Sequence, residues 1–262
     1  MALTRSAELV ATSYADDLSL RALADVARLT DDVESRIVGG QMVAILLTAF
    51  PVADLAPRRT RDADTAITTE VAGSGLLHER LTADGYVPTA GNSYAKTLPS
   101  SLPANAPVRQ LSIDVIVPST DGRFRAKQLG GRGFDSVPGL ALALSGDSIF
   151  IETGVTLLDG TVLSFTPRVP TVEAAVVIKS HAFASRRQAS DVEDLYRLLE
   201  IVDRYTATEI GGWRLKEERL VGSRLDAAIQ MHELLRTTRT LRDIDVPSSR
   251  LAALIARHVG RP

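Results

Sequence analysis

The stretch VRQLSIDVIVPS (Val108 to Ser119) constrains the chain most. Leu111, Ile113, Val115 and Val117 alternate with other residues over a run that favours extended structure, so the spacing predicts a strand with one apolar face. Asp114 then points from the opposite face. Leu18, Leu20, Leu23, Val26 and Leu29 recur at helical spacing between Ser13 and about Ser35, and RIVGGQMVAILLTAF (Arg36 to Phe50) reads as a short apolar strand, two glycines and an apolar helix ending near Pro51. A strand is expected over Arg59 to Thr68 and a helix from about Gly75 to Asp84, followed by a Gly-, Pro-, Ser- and Asn-rich loop or hairpin over residues 85 to 107. Short β segments, including Ser148 to Thr153 and Thr161 to Pro167, punctuate 120 to 170, and from Val172 the pattern is helical almost to the end. The expected class is α/β (α+β), with an α/β unit carrying an N-terminal helix over 1–170 and a helical region over 171–262.

Composition removes some chemistries and leaves others open. The 262 residues carry a formal net charge of only −2, which neither favours nor excludes nucleic acid, because a basic patch can be local. There is no cysteine, so disulfides, thiol nucleophiles and Cys-based zinc sites are excluded. His78, His181, His232 and His258 are scattered without metal-ligand spacing, although His181 falls near Lys179. The N-terminus lacks the apolar core of a signal peptide and no run approaches about 20 apolar residues, so a cytoplasmic protein with no membrane partner is expected.

The chemistry-bearing residues are mostly acids. On a strand, Asp62 and Asp64 in RRTRDAD share one face about 6.5 to 7 Å apart, where they repel unless hydrated or bridged by a cation. If the strand of Asp114 lies beside theirs, about 4.8 Å away, three carboxylates converge and each disfavours ionisation of the others. Bound divalent cations resolve that conflict, and Mg²⁺ (or Mn²⁺) takes carboxylate oxygens together with substrate phosphates. Gly39 and Gly40 precede a helix and let backbone N–H groups approach a phosphate, or simply supply a tight turn. In KSHAFASRRQASDVEDLYRLLEIV (Lys179 to Val202), Ser190 and Glu193 match a capping box; Asp191 and Asp194 share a face of the first turn that also suits the helix dipole. Lys179, Arg186 and Arg187 lie just before, as anion ligands or as a solvated face.

Taken in order, VGGQMVAIL, RRTRDAD, SIDVIVP and KSHAFASRRQASDVEDL resemble the nucleotidyltransferase toxins of the AbiEii family, relatives of the MenT-type toxins of type IV toxin–antitoxin systems, over residues 34 to 202. Thr60, Asp62 and Asp64 match that family's strand motif, Asp114 its third acid, and Lys179, Arg186, Asp191, Asp194 and Leu195 its helical signature. The resemblance implies a polymerase-β-like fold, a small mixed sheet with flanking helices completed by the helical region. It further implies transfer of a nucleoside monophosphate from an NTP to an acceptor such as the 3′ end of tRNA, and a cognate antitoxin. Asp62, Asp64 and Asp114 would hold the metal, Gly39, Gly40 and Thr60 the triphosphate, and Lys179 and Arg186 the phosphate charge; Asp191 would orient Lys179 or the nucleotide. An RNA acceptor calls for a basic surface, and Gly122 to Gly133, with Phe124 able to stack on a base, and Arg236 to Arg242 are the candidates. A small-molecule hydroxyl acceptor and a non-catalytic nucleotide-binding module are the competing readings.

Overall fold

The computed structural model describes residues 3–58, 60–99, 110–237 and 244–262. The chain opens with β1 (Leu3–Val10), α1 (Tyr14–Leu29), β2 (Ser35–Ile37), α2 (Gly39–Ala49) and β3 (Ala63–Ile67). Two short helices, α3 (Thr69–Ser74) and α4 (Leu76–Ala83), lead to the hairpin β4 (Val87–Ala90) and β5 (Ser93–Thr97). The long strand β6 (Gln110–Pro118) follows, then the hairpin β7 (Arg125–Leu129) and β8 (Arg132–Val137), α5 (Leu140–Ser145), and β9 (Ser148–Thr156), β10 (Val162–Phe165) and β11 (Arg168–Pro170). Four helices finish the described chain: α6 (Val172–Arg186), α7 (Ala189–Arg204), α8 (Ser223–Thr237) and α9 (Ser248–His258).

The class is mixed α/β, but the strands form two sheets where one small sheet is expected. The larger runs β2-β3-β6-β5-β4, with β8 also on β6 and β7 on β8; the smaller runs β1-β9-β10, with β11 on β9. β6 is the axis of the first, as its pattern predicts: Leu111, Ile113, Val115 and Val117 are buried and the intervening residues are half-exposed. The expected N-terminal helix is α1, and a strand that was not expected, β1, precedes it. Burial alternates along β1, but only Ala7 and Leu9 are buried and Arg5 shares their face, so the apolar signal is weak, and its partner β9 comes from much later in the chain. The helix α1 follows, capped by Ser13 accepting from the Asp16 amide, and buries Leu20, Leu23 and Val26 against β3, β6 and β10. Among the described residues no helix is long and apolar enough to cross a membrane.

In α6 every residue from Val172 to Phe183 is buried, because α5, α7 and α8 all pack on it. One apolar core runs from α1 through the large sheet into these helices. The capping box foreseen at Ser190 and Glu193 is not formed. Arg187 takes a left-handed backbone (φ 53°, ψ 35°), which turns the chain so sharply that α7 starts at Ala189 after Gln188, leaving Ser190 inside the helix.

Candidate active site

The register of the large sheet assembles the candidate site. β3 and β6 are parallel neighbours with Asp64 directly opposite Asp114, so these two carboxylates stand side by side. On the other flank of β6, β5 ends with Ser93 opposite Asp114, and β8 takes over with Asp135 opposite Ile116. The sheet forks there. A cleft of about 520 Å³ opens over the fork, floored by Asp64, Asp114 and Ile116 and walled on the opposite side by Ile178, Lys179 and Arg186 of α6.

Asp62 departs from the expected strand. β3 begins at Ala63, and Asp62 sits in a bend before it, half-buried and outside the cleft lining. Upstream, Arg58 Nε and Nη2 donate to Asp194 at 3.2 and 3.1 Å, which ties the chain before Asp62 to α7. Asp62 stays near enough to add to the repulsion on Asp64. Among the described residues no three His, Asp or Glu side chains are already gathered to hold a metal ion.

Burial pushes the Asp64 carboxyl up, Asp114 adds like-charge repulsion, Lys179 opposes both, and the group ends raised to about 6. Asp114 Oδ1 is buried with no hydrogen-bond partner. Lys179 and Arg186 act on Asp64 only by charge from across the cleft, and no described residue hydrogen-bonds Asp114 Oδ1.

Gly39 lies over that pair. Its φ is +67°, and a Cβ there would fall 1.7 Å from Asp64 Oδ2. Gly40 abuts Thr60, whose Cβ and Oγ1 would be 3.0 and 3.1 Å from an added Cβ. Gly39 lines the cleft; Gly40 and Thr60 stand behind it. Val38, the residue before α2, gives no side-chain cap, and the first turn carries no acid, so the first amides of α2 keep their donors for a ligand. Gly39→Ala is expected to cost about 1–2 kcal/mol of stability through its left-handed backbone and to displace Asp64. Gly40→Ala, where φ is not positive, should be milder. Urea midpoints of the two variants check this, and equal midpoints would contradict it.

Across the cleft, Lys179 is 2% exposed and its Nζ lies 2.7 Å from Asp194 Oδ2 and 3.9 Å from Asp191 Oδ1. Asp191 is gripped by Arg186, whose Nε and Nη2 donate at 2.8 and 2.7 Å. Asp191 is expected to orient Lys179 or the nucleotide; Asp194 makes the closer contact with Lys179, and Asp191 chiefly holds Arg186. Burial pushes the Asp194 carboxyl up, but Lys179 and Arg58 outweigh it and hold it below the usual range.

His181 is buried toward Gln230 of α8 and does not line the cleft. Phe124, Arg125 and Ala126 of the first basic stretch do line it, on the wall formed by the β7–β8 hairpin. Of the second stretch, Arg236 ends exposed on α8, while residues 238–242 lie outside the described residues. Sequence reasoning missed Arg58, Asn92 and Asp135. The clues available were an arginine run, a Gly-Asn turn and one acid in the RGFDSV segment.

No family model and no curated protein matches this chain. Among solved structures it is similar to the crystal structure of an antigenic nucleotidyltransferase-like protein from Paracoccidioides brasiliensis, at 12% identity and a TM-score of 0.48 over 94% of this chain and 95% of that one. At that level of likeness no property of that protein transfers.

Proposed function

We propose that the chain is a divalent-metal-dependent nucleotidyltransferase that moves a nucleoside monophosphate from an NTP to an acceptor hydroxyl. The observation that carries this reading is the Asp64–Asp114 pair, set beneath Gly39 at the uncapped start of α2 and facing Lys179 and Arg186. The pair suits a hard divalent cation: one oxygen of Asp114 is buried without a partner, and Asp64 is raised by burial and by its neighbour's charge. Asp64 and Asp114 would hold Mg²⁺ or Mn²⁺; Asp62, in the bend before β3 and outside the cleft lining, is not positioned beside them as a third donor. When bound, such a cation neutralises phosphate charge and makes the acceptor hydroxyl easier to deprotonate.

The remaining roles fall to the chain itself. The first amides of α2, with Gly39, Gly40 and Thr60 shaping the approach, bind the triphosphate. Lys179, fixed by Asp194, and Arg186, fixed by Asp191, offset the charge that grows on the leaving pyrophosphate. The acceptor oxygen bonds to the α-phosphorus as the bond to pyrophosphate breaks, and Asp114 takes the hydroxyl proton.

The resemblance to AbiEii-family toxins supports a finer reading: a toxin that modifies the 3′ end of tRNA and is countered by a cognate antitoxin. The test is incubation with each α-³²P-labelled NTP, Mg²⁺ and total tRNA, using wild type and Asp114→Asn. Label in RNA from wild type alone is expected, as is growth arrest on expression of wild type but not of the variant. Folded wild-type protein that transfers label to nothing, from any NTP, would sink the reading.

A further inference from the structure

Half of the cleft takes no part in the chemistry proposed above. It lies across β6 from Asp64, where β5 gives way to β8, and is walled by Asn92, Ile116, Phe124, Ala126, Asp135 and Val137. Its character is the opposite of the phosphate half. Ile116 and Val137 give it an apolar floor, and Phe124 keeps an aromatic ring 40% exposed at the start of β7.

Two polar groups stand uncommitted there. Asn92 is 8% exposed and its carbonyl accepts from the Val115 amide at 3.0 Å, which pins the β4–β5 turn over the cleft; its side-chain amide has no partner among the described residues. Asp135 is exposed at the cleft wall, and no cation or donor among the described residues engages it. Arg125, the cation of this wall, is paired with Asp121 at 3.1 Å. A phosphate would therefore meet a free carboxylate here and, among the described residues lining this half, no unpaired cation. A flat, uncharged group bearing N–H and O–H donors meets an aromatic face, an amide and an acceptor-only carboxylate.

We propose that this half is the nucleoside subsite of the NTP, with the base stacked on Phe124 and its edge and sugar hydroxyls hydrogen-bonded to Asn92 and Asp135. The proposal rests on the nucleotidyltransferase reading and adds the residues that set nucleotide preference. The cleft volume falls in the range of sites for ligands of this size. Stacking is tolerant of base identity, so Phe124 supplies affinity for every NTP, whereas Asp135 accepts only and so rewards positions that present donors.

Calorimetric titration with non-hydrolysable α,β-methylene NTP analogues and 2′-deoxy counterparts, and with inorganic tripolyphosphate, all in Mg²⁺, separates the possibilities. Phe124→Ala is expected to weaken every analogue by roughly tenfold or more, Phe124→Trp to retain them, and Asp135→Asn to reorder the analogues by about tenfold. Tripolyphosphate affinity stays unchanged throughout. An effect of either variant on the analogues alone upholds the subsite. Wild-type affinities for every analogue in both variants, with tripolyphosphate still bound, would overturn the subsite alone. Failure of wild type to bind tripolyphosphate or any analogue would overturn the nucleotidyltransferase reading and the subsite with it.

Discussion

Asp64→Asn is expected to reduce NMP transfer by at least about a thousandfold while making the metal-free protein more stable. The two effects have one origin. Asp64 is held at about 6 by burial and by Asp114, so the folded state binds its proton more tightly than the unfolded chain does. For an acid raised in this way, stability is lost as pH climbs from the unfolded value near 4 through about 6, and above that window the full cost is present. Roughly 2 units correspond to up to about 3 kcal/mol, and partial exposure of Asp64 reduces this to on the order of 2 kcal/mol. At about 2–4 °C per kcal/mol, Asp64→Asn should melt several degrees above wild type at pH 7.5 without metal, and much closer to it at pH 4. Mg²⁺ should raise wild type at pH 7.5 and leave the variant nearly unmoved. Thermal scans at the two pH values, with and without Mg²⁺, read all of this. A variant that melts lower than wild type in every condition would show that Asp64 is a structural acid, and the candidate site would lose its centre.

Much of that site was legible because Asp114 interrupts an apolar strand and Asp64 lies in a D-x-D pair ahead of Ala66 and Ile67. For β6 the alternation Leu111, Ile113, Val115, Val117 fixed the orientation of Asp114, and the glycine pair before an apolar helix marked the start of α2. The neighbouring placement of β3 and β6 was a conditional expectation that the register meets. Other features depend on partners distant in the chain. β1 is defined by pairing with β9, and Arg5 on the same face as Leu3, Ala7 and Leu9 interrupts the apolar alternation that would have marked it. Arg58 pairs with Asp194, more than a hundred residues on, and no local rule foretells that contact. The capping-box pattern at Ser190 lost to the left-handed turn at Arg187, which brings Arg186 onto Asp191. Asn92 and Asp135 gave little signal because each is one polar residue in a hairpin, and only the fork in the sheet turns them toward the cleft.

Lys179→Met should be the most destabilising single change near the cleft. Arg58, Asp194, Lys179, Asp191 and Arg186 alternate in sign across α6, α7 and the segment before β3, and both carboxylates are almost wholly buried. Removing the central cation leaves each acid with one arginine, so the loss falls at the low end for a broken buried pair, about 3 kcal/mol, or roughly 10 °C in melting temperature. Activity should fall by a further hundredfold or more, because the charge facing the leaving pyrophosphate is gone. Stability and activity are separated by adding Asp194→Asn. If the cost is an uncompensated carboxylate, the double variant recovers most of the stability and none of the transfer, and the coupling energy of the cycle is large. Costs that simply add would mean that Lys179 and Asp194 are not energetically coupled. Recovered transfer in the double variant would mean that Lys179 serves only to neutralise Asp194, leaving Arg186 to meet the phosphates alone.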